Sequence, residues 1–147
     1  HGLEVIMTAH VIYSEWDRRL PATFSPYILK TILRERLGFD GLVITDDLEM
    51  KAVEKHIPFS SIPKLGSAAG VDLYLICHDR EKILSLQDQM IRDIKEEHID
   101  KESVEFSVQR IIDIKKRIAI NPRNKQNLTE LVQGHLDLIE EMYSYSL

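Results

Sequence analysis

The side chains best suited to chemistry stand directly after three short apolar runs of the chain. They are His10, Asp46, Asp47, His78 and Asp79. Imidazoles and carboxylates move protons, and a carboxylate also serves as a nucleophile. Ligands of α/β folds bind at the carboxyl ends of parallel strands, so these residues are candidates for one site. The alternative for each of them is that a polar side chain only solvates a loop.

The adjacent acids Asp46 and Asp47 are suited to different roles. Successive side chains of an extended backbone point to opposite sides, so only one of the two can face a given pocket. Asp47 precedes a helical pattern and suits the N-cap position, where a carboxylate accepts a backbone N–H. Asp46 is then the pocket-facing carboxylate. The alternative is that both acids cap the helix.

The apolar runs predict the strands that must carry these residues. They cover residues 5–7, 42–44 and 73–76, and each is continuous rather than alternating. Continuous runs are typical of parallel strands that are buried on both faces. Each run therefore places its polar residues at the carboxyl end of a predicted parallel strand.

Helical patterns lie between and after these runs. Ser25 and Pro26 are typical of an N-cap and a first helical residue, and Gly38 is a typical stop. The predicted helices span residues 26–37, 48–55, 62–69, 80–97, 101–120 and 128–142. This alternation predicts an α/β fold with a parallel sheet. Three strands are too few for an eight-stranded barrel, which leaves a small open sheet or a piece of something larger.

Composition and charge exclude several classes of protein. The 147 residues are 44% hydrophobic, which is typical of globular proteins. The net charge is −5, and an acidic chain lacks the basic patch that nucleic-acid binding needs. No apolar run approaches the roughly 18 residues that cross a bilayer. The single cysteine, Cys77, cannot form an internal disulfide, and beside a predicted strand it is expected to be a core residue rather than a nucleophile.

Five segments of the chain follow one another in the order of a known family. They are residues 7–13 (MTAHVIY), 19–25 (RLPATFS), 33–50 (LRERLGFDGLVITDDLEM), 69–77 (AGVDLYLIC) and 107–115 (SVQRIIDIK). Over about residues 3–118 the chain resembles the family 3 glycoside hydrolases. It is most similar to the bacterial β-N-acetylhexosaminidases of that family, and the third segment is the most diagnostic.

The resemblance implies a fold and a nucleophile. Residues 1–120 are expected to be the C-terminal part of the family's (β/α)8 TIM-type barrel, about its last three βα units, and residues 121–147 a C-terminal helical extension. His1 lies just before an apolar run, so we expect a cut boundary there. The family's nucleophile is the first acid after Ser or Thr, here Asp46. Glu49 departs from the small or neutral residue that is usual in the family, which puts the fine substrate preference in doubt.

The activity implied is retaining hydrolysis of terminal β-linked N-acetylglucosamine, as in cell-wall recycling. Asp46 would form a glycosyl-enzyme, and an acid would protonate the leaving oxygen. In this branch of the family that acid is a His in a Lys-His-x-x-Gly-type loop. This sequence has no such motif. The acid/base is therefore expected upstream of His1, and the isolated chain is expected to be inactive.

The remaining expectations concern ligands, partners and alternatives. His10 and His78 are candidate substrate-binding residues, while no metal site and no cofactor are predicted. The expected partners are a carbohydrate and the missing upstream barrel half, with possible self-association and with no nucleic acid or membrane. A cytoplasmic location is expected, with a secreted or lipoprotein form as the alternative. The alternatives are a β-glucosidase of the same family and a non-catalytic α/β module that binds sugar or protein. A flavodoxin-like binding domain is a weaker alternative, because it would need a glycine-rich or phosphate-binding first loop, and the sequence shows none.

Overall fold

The computed structural model of the chain describes residues 2–120 and residue 133. The chain divides into two units, residues 1–115 and residues 116–147. The predicted extension over residues 121–147 and the predicted helix over residues 128–142 lie outside the described residues, apart from Gln133, which is helical. None of the described helices combines the length and the apolar character that a bilayer crossing requires.

A three-stranded parallel sheet forms the centre of the first unit. Its strands are β1 (Val5–Met7), β2 (Leu42–Asp47) and β3 (Leu73–Leu75), in the order β1-β2-β3. Val5 of β1 pairs with Leu42, and Ile44 pairs with Leu73 of β3. The predicted α/β class, the three strands and their parallel direction are confirmed. Their carboxyl ends consequently share one edge of the sheet.

Helices connect and follow the strands. They are two 3-10 helices (Ala22–Phe24 and Phe59–Ser61), a π-helix (Tyr27–Arg36), and the α-helices α1 (Lys51–Glu54), α2 (Ile62–Ala69), α3 (Arg80–Lys95) and α4 (Lys101–Ile120). Gly70 ends α2 in the left-handed conformation, with φ of 89°. Apolar residues of the helices, the sheet and the turn after β2 pack in two clusters, one that contains Val43 and Ile28, and one that contains Phe24, Leu48 and Ile62.

Two helices differ from their predictions. The helix predicted over residues 26–37 has π-type hydrogen bonds, which end with Leu37 N–H donating to the carbonyl of Ile32 at 3.0 Å. Ser25 does cap its start, because the Ser25 hydroxyl accepts the Ile28 N–H at 3.3 Å. The helix predicted over residues 48–55 is shorter than expected. Residues 48–50 form a turn, and α1 begins only at Lys51.

A buried carboxylate, Asp72, joins the sheet to two helices at the start of β3. Its side chain is 0% exposed, and it accepts hydrogen bonds from Arg34 of the π-helix and Arg110 of α4. It also accepts the Val43 N–H of β2 at 2.8 Å and the hydroxyl of Ser107. We call these five residues the Asp72 cluster. Burial lowers the pKa of the Arg34 guanidinium, and Asp72 opposes that shift.

The first strand is more exposed than its continuous apolar run predicts. Val5 and Met7 are 42% and 56% exposed, whereas Val43 in the central strand is fully buried. The expectation of burial on both faces is thus right for the centre of β2 and wrong for β1. The reason is position, because β1 is an edge strand and pairs only with β2 among the described residues. Its outer side therefore has no strand to cover it within residues 2–120.

Candidate functional site

A β-bulge shapes the carboxyl end of the central strand. Ile44 pairs with Leu73 and Asp47 pairs with Leu75, so three steps along β2 match two along β3. Inside this irregularity the buried Thr45 hydroxyl accepts the Leu75 N–H at 2.9 Å, where a backbone carbonyl would ordinarily accept it. Bulges bend a strand and re-aim its side chains, and they are common beside active sites. The bulge spans Asp46.

Asp46 and Asp47 have different hydrogen bonds. Asp46 Oδ1 accepts the N–H of Asp47 at 2.8 Å, and its other oxygen accepts no hydrogen bond from the part of the chain that the structure describes. Asp47 Oδ1 accepts the Glu49 N–H at 3.1 Å and so stabilises the turn after the strand. The prediction that Asp47 caps a helix is wrong, because the N-cap of α1 is Met50. Asp47 caps a turn instead.

A relay of hydrogen bonds fixes His10 against the backbone of Asp47. Thr8 donates its hydroxyl to Thr23 at 2.9 Å, and Thr23 lies 2.9 Å from His10 Nδ1. His10 Nε2 lies 3.2 Å from the carbonyl oxygen of Asp47, which can only accept. Nε2 is therefore the donor, and in the neutral ring Nδ1 accepts from Thr23. The ring also stacks on the buried Phe24, with centroids 6.2 Å apart.

Glu49 binds the loop that follows β3. One of its oxygens accepts the N–H groups of Cys77 and His78 at 3.0 and 2.7 Å, and the other accepts the Asp79 N–H at 3.1 Å. The side chain of Glu49 is only 14% exposed, whereas that of His78 is 84% exposed, with Nδ1 3.3 Å from Glu49. Asp79 then caps α3 by accepting the N–H groups of Glu81 and Lys82. His78 consequently lies at the rim, on a loop that Glu49 holds.

Three of these side chains also satisfy the distances of a metal site. Asp47, Glu49 and His78 each offer one ligand atom, and these atoms lie within 4.8 Å of one another. The sequence predicted no metal site, and spacing alone gave no hint of this group. The oxygens of Glu49 already accept three N–H groups at the positive end of α3, which disfavours a cation. We assign the group no metal role.

Cys77 is exposed, so the expectation that it belongs to the core is wrong. The residue lies two positions beyond the end of β3, in the loop that leaves the sheet. Partial desolvation, and next the negative charge of Asp47, raises the pKa of its thiol. A raised pKa leaves little thiolate at neutral pH, so the thiol is a poor nucleophile.

The structure brings the predicted residues to one edge and adds others that the sequence did not reveal. His10 and Asp47 are joined by a hydrogen bond, Asp47 and His78 lie beside Glu49, and Asp46 lies within the bulge. The role of Thr23 was missed, because a buried hydroxyl far away in sequence leaves no local signal. Glu49 was noted only as a departure from the family pattern. That departure was the available signal of its role.

The chain matches a family model and curated proteins. The model described as "Glycosyl hydrolase family 3 N terminal domain" matches residues 1–114. A protein of Haemophilus influenzae named beta-hexosaminidase is 43% identical over 88 residues, which cover 60% of this chain and 25% of that protein. A beta-hexosaminidase of Pasteurella multocida is 41% identical over 96 residues, 65% of this chain and 27% of that protein. The chain thus spans about a quarter of the length of these relatives.

A solved structure of similar fold agrees with these matches. It is a family 3 beta-N-acetylglucosaminidase from Paenibacillus, which superposes with a TM-score of 0.78 at 32% identity. The superposition covers 86% of this chain and 24% of the Paenibacillus chain. The sequence matches and the superposition therefore each cover about a quarter of the longer protein to which this chain is compared.

Proposed function

Because the chain belongs to glycosyl hydrolase family 3, whose N-terminal domain it matches over residues 1–114, we propose that it is part of a retaining β-N-acetylhexosaminidase with Asp46 as nucleophile. The relatives named beta-hexosaminidase and the structure titled as a beta-N-acetylglucosaminidase support this substrate class. The products would be free N-acetylglucosamine and a glycan that is shorter by one residue.

One observation carries the assignment of Asp46. Several acids lie at the carboxyl edge of the sheet, and Asp47, Glu49 and Asp79 each accept N–H groups that shape a turn, a loop or a helix end. Asp46 accepts only the N–H of its neighbour Asp47, and within the described part of the chain it shapes no turn, loop or helix end, so its carboxylate is the one left for a substrate. The bulge supports this role, because it re-aims the side chain at the strand end.

The proposed reaction has two steps. The Asp46 carboxylate attacks the anomeric carbon and forms an ester, while the bond to the leaving oxygen breaks and that oxygen takes a proton from an acid. Water, deprotonated by the same group, then attacks the anomeric carbon and releases Asp46. We propose that this acid/base belongs to a part of the whole protein that the chain does not include. The isolated chain is accordingly proposed to be inactive.

His10 and His78 have separate proposed roles. In its neutral form His10 uses both ring nitrogens, one with Thr23 and one with Asp47, so it has none free for proton transfer. We propose that His10 lies beside the substrate and, through its hydrogen bond to the Asp47 carbonyl, positions the backbone next to Asp46. His78 is exposed at the rim and is proposed to contact the sugar.

The open edge of β1 supports a larger barrel. Leu3 and Met7 are 62% and 56% exposed, and closure of a sheet into a barrel covers such an edge. We propose that the sheet is three strands of a (β/α)8 barrel and that upstream strands of the whole protein cover β1. Without them, exposed apolar residues favour self-association of the isolated chain.

A chimeric enzyme tests the proposed function. Residues 1–114 of this chain replace the matching segment of the Haemophilus influenzae beta-hexosaminidase, which supplies the remainder of the molecule. We expect the chimera to hydrolyse p-nitrophenyl N-acetyl-β-glucosaminide. Asp46→Asn should lower kcat at least about a thousandfold, because it removes the nucleophile.

The control is Asp47→Asn, which makes the same change of charge on the next residue. Its amide oxygen can still accept the Glu49 N–H, so the loss of rate should be much smaller. An inactive Asp47→Asn variant beside an active Asp46→Asn variant would reassign the nucleophile. Faster hydrolysis of the β-glucoside than of the N-acetyl substrate would move the chain to the β-glucosidases.

A further inference from the structure

We propose that Glu49 is a positioning residue, which fixes the loop of residues 77–79 at the carboxyl edge of the sheet and so sets where His78 meets the sugar. The inference rests on the proposed function for the sugar contact, whereas the fixing of the loop stands without it. No residue of this loop is held to β2 by strand pairing, since the pairing of β2 with β3 ends at Leu75.

The geometry shows how one carboxylate holds a whole loop. Three consecutive N–H groups converge on Glu49, at distances from 2.7 to 3.1 Å. Hydrogen bonds to a charged acceptor are about twice as strong as neutral ones, and the largely buried position of Glu49 reduces competition from water. The loop therefore has one preferred position relative to the turn that follows Asp46.

The same carboxylate lies beside the His78 ring. Nδ1 is 3.3 Å from Glu49 Oε2, and the two form an ion pair when the ring is protonated. The His78 side chain is exposed, but its backbone N–H is bound to Glu49, so the ring is presented to a hydroxyl of a ligand from a defined direction. A loop that moved freely would lose this direction and would have to be ordered on binding.

The neighbouring helix offers a matched control. Glu54 of α1 also reaches toward α3, where it pairs with Lys82 Nζ at 2.8 Å. Glu54→Gln removes the same charge as Glu49→Gln, and it breaks a half-exposed ion pair without touching residues 77–79. Glu49→Asp completes the set, because it keeps the charge and shortens the side chain by one methylene.

The first experiment uses the 147-residue chain. Amide hydrogen exchange at residues 77–79 should become about tenfold faster in Glu49→Gln, because the charged acceptor is lost. Cys77, the single cysteine, reports the same loop through its rate of labelling by a thiol reagent. Labelling should accelerate in Glu49→Gln and Glu49→Asp and stay within about twofold in Glu54→Gln.

Two outcomes would overturn the fixing of the loop. Exchange at residues 77–79 could be unchanged in Glu49→Gln, or equally fast in Glu54→Gln. In the first case, labelling of Cys77 could still accelerate in Glu49→Gln while Glu49→Asp behaves like the unmodified chain. That last pattern would mean that Glu49 acts only through its charge on the thiol. Thermal unfolding of each variant, followed by circular dichroism, separates loosening of the loop from loss of the fold.

The second experiment measures sugar binding in the chimera. Glu49→Gln should raise KM about tenfold and change kcat less, since His78 contacts the substrate and not the reacting atoms. A loosened loop with unchanged KM would overturn the positioning role. An unmodified chimera without any activity would contradict the proposed function, while hydrogen exchange would still decide whether Glu49 fixes the loop.

Discussion

Replacement of Asp72 by asparagine tests whether the Asp72 cluster joins the sheet to the π-helix and α4. The substitution keeps the size of the side chain, so it creates no cavity, but it removes the negative charge between Arg34 and Arg110. It also places an N–H donor against groups that are all donors, including the Val43 N–H. The guanidinium groups of Arg34 and Arg110 are then left beside a neutral amide, which does not compensate their positive charges.

The magnitude follows from burial. Removal of one partner from a buried ion pair costs about 3–5 kcal/mol. The side chains of Arg34 and Arg110 are 18% and 29% exposed, so water offsets part of this loss. We therefore expect the free energy of unfolding to fall by about 3 kcal/mol.

Urea denaturation followed by circular dichroism measures this change. The control is Glu105→Gln on α4, which removes an equal charge from an exposed pair with Lys101 at 3.8 Å and should cost less than about 0.5 kcal/mol. A loss below about 1 kcal/mol in Asp72→Asn, or equal losses in the two variants, would contradict the proposed stabilisation by the Asp72 ion pairs. The cluster would then be no more important than a surface pair.

Three further predictions test separate parts of the structure. Thr23→Val should destabilise the chain by about 1–3 kcal/mol in urea denaturation, because the Thr8 hydroxyl and His10 Nδ1 lose their common hydrogen-bond partner. An unchanged denaturation midpoint would show that the hydrogen bonds from Thr8 through Thr23 to His10 do not stabilise the fold. Gly41→Ala should lower the free energy of unfolding by about 2–3 kcal/mol, because the new methyl group would collide with the carbonyl oxygen of Glu4. Gly38→Ala is the control: its methyl group would meet open space, so only the strain of the positive φ remains, roughly 1 kcal/mol. A larger loss in Gly38→Ala than in Gly41→Ala would contradict this prediction. A hydrogen bond from the Ser25 hydroxyl lowers the pKa of Asp17, so its contribution to stability is present at neutral pH and is lost as the pH falls through that lowered pKa. Asp17→Asn should accordingly be less stable than the unmodified chain at pH 7, and the difference should shrink as the pH of the urea titrations is lowered from 7 toward 2; a difference that does not change with pH would contradict the assignment.

The strands could be predicted because burial of continuous apolar runs is a local property of the sequence. Residues 5–7 match β1, and the run over residues 42–44 begins β2 correctly. The exposure of β1 could not be predicted, because it depends on which strand pairs with its outer side. The π-type bonds were also missed, since apolar spacing on one face identifies a helix but not its hydrogen-bond register.

The candidate site was predictable only as a set of residues at one sheet edge. Its geometry depends on contacts between distant segments, such as Thr23 with His10 and Glu49 with residues 77–79. Alternation along an ideal strand separated Asp46 from Asp47, yet the bulge between Ile44 and Asp47 breaks that alternation. The preference for Asp46 now depends instead on its carboxylate, which shapes no turn, loop or helix end among the described residues. The sequence alone could not have supplied that reason.

Trapping of the covalent intermediate would identify the nucleophile. The chimera would be incubated with a fluorinated N-acetylglucosaminyl substrate that slows the second step, then digested and analysed by mass spectrometry. We expect one sugar esterified to Asp46, and no labelled peptide from Asp46→Asn. A sugar attached to Asp47 or to another carboxylate, or turnover without any covalent sugar, would contradict the assignment of Asp46.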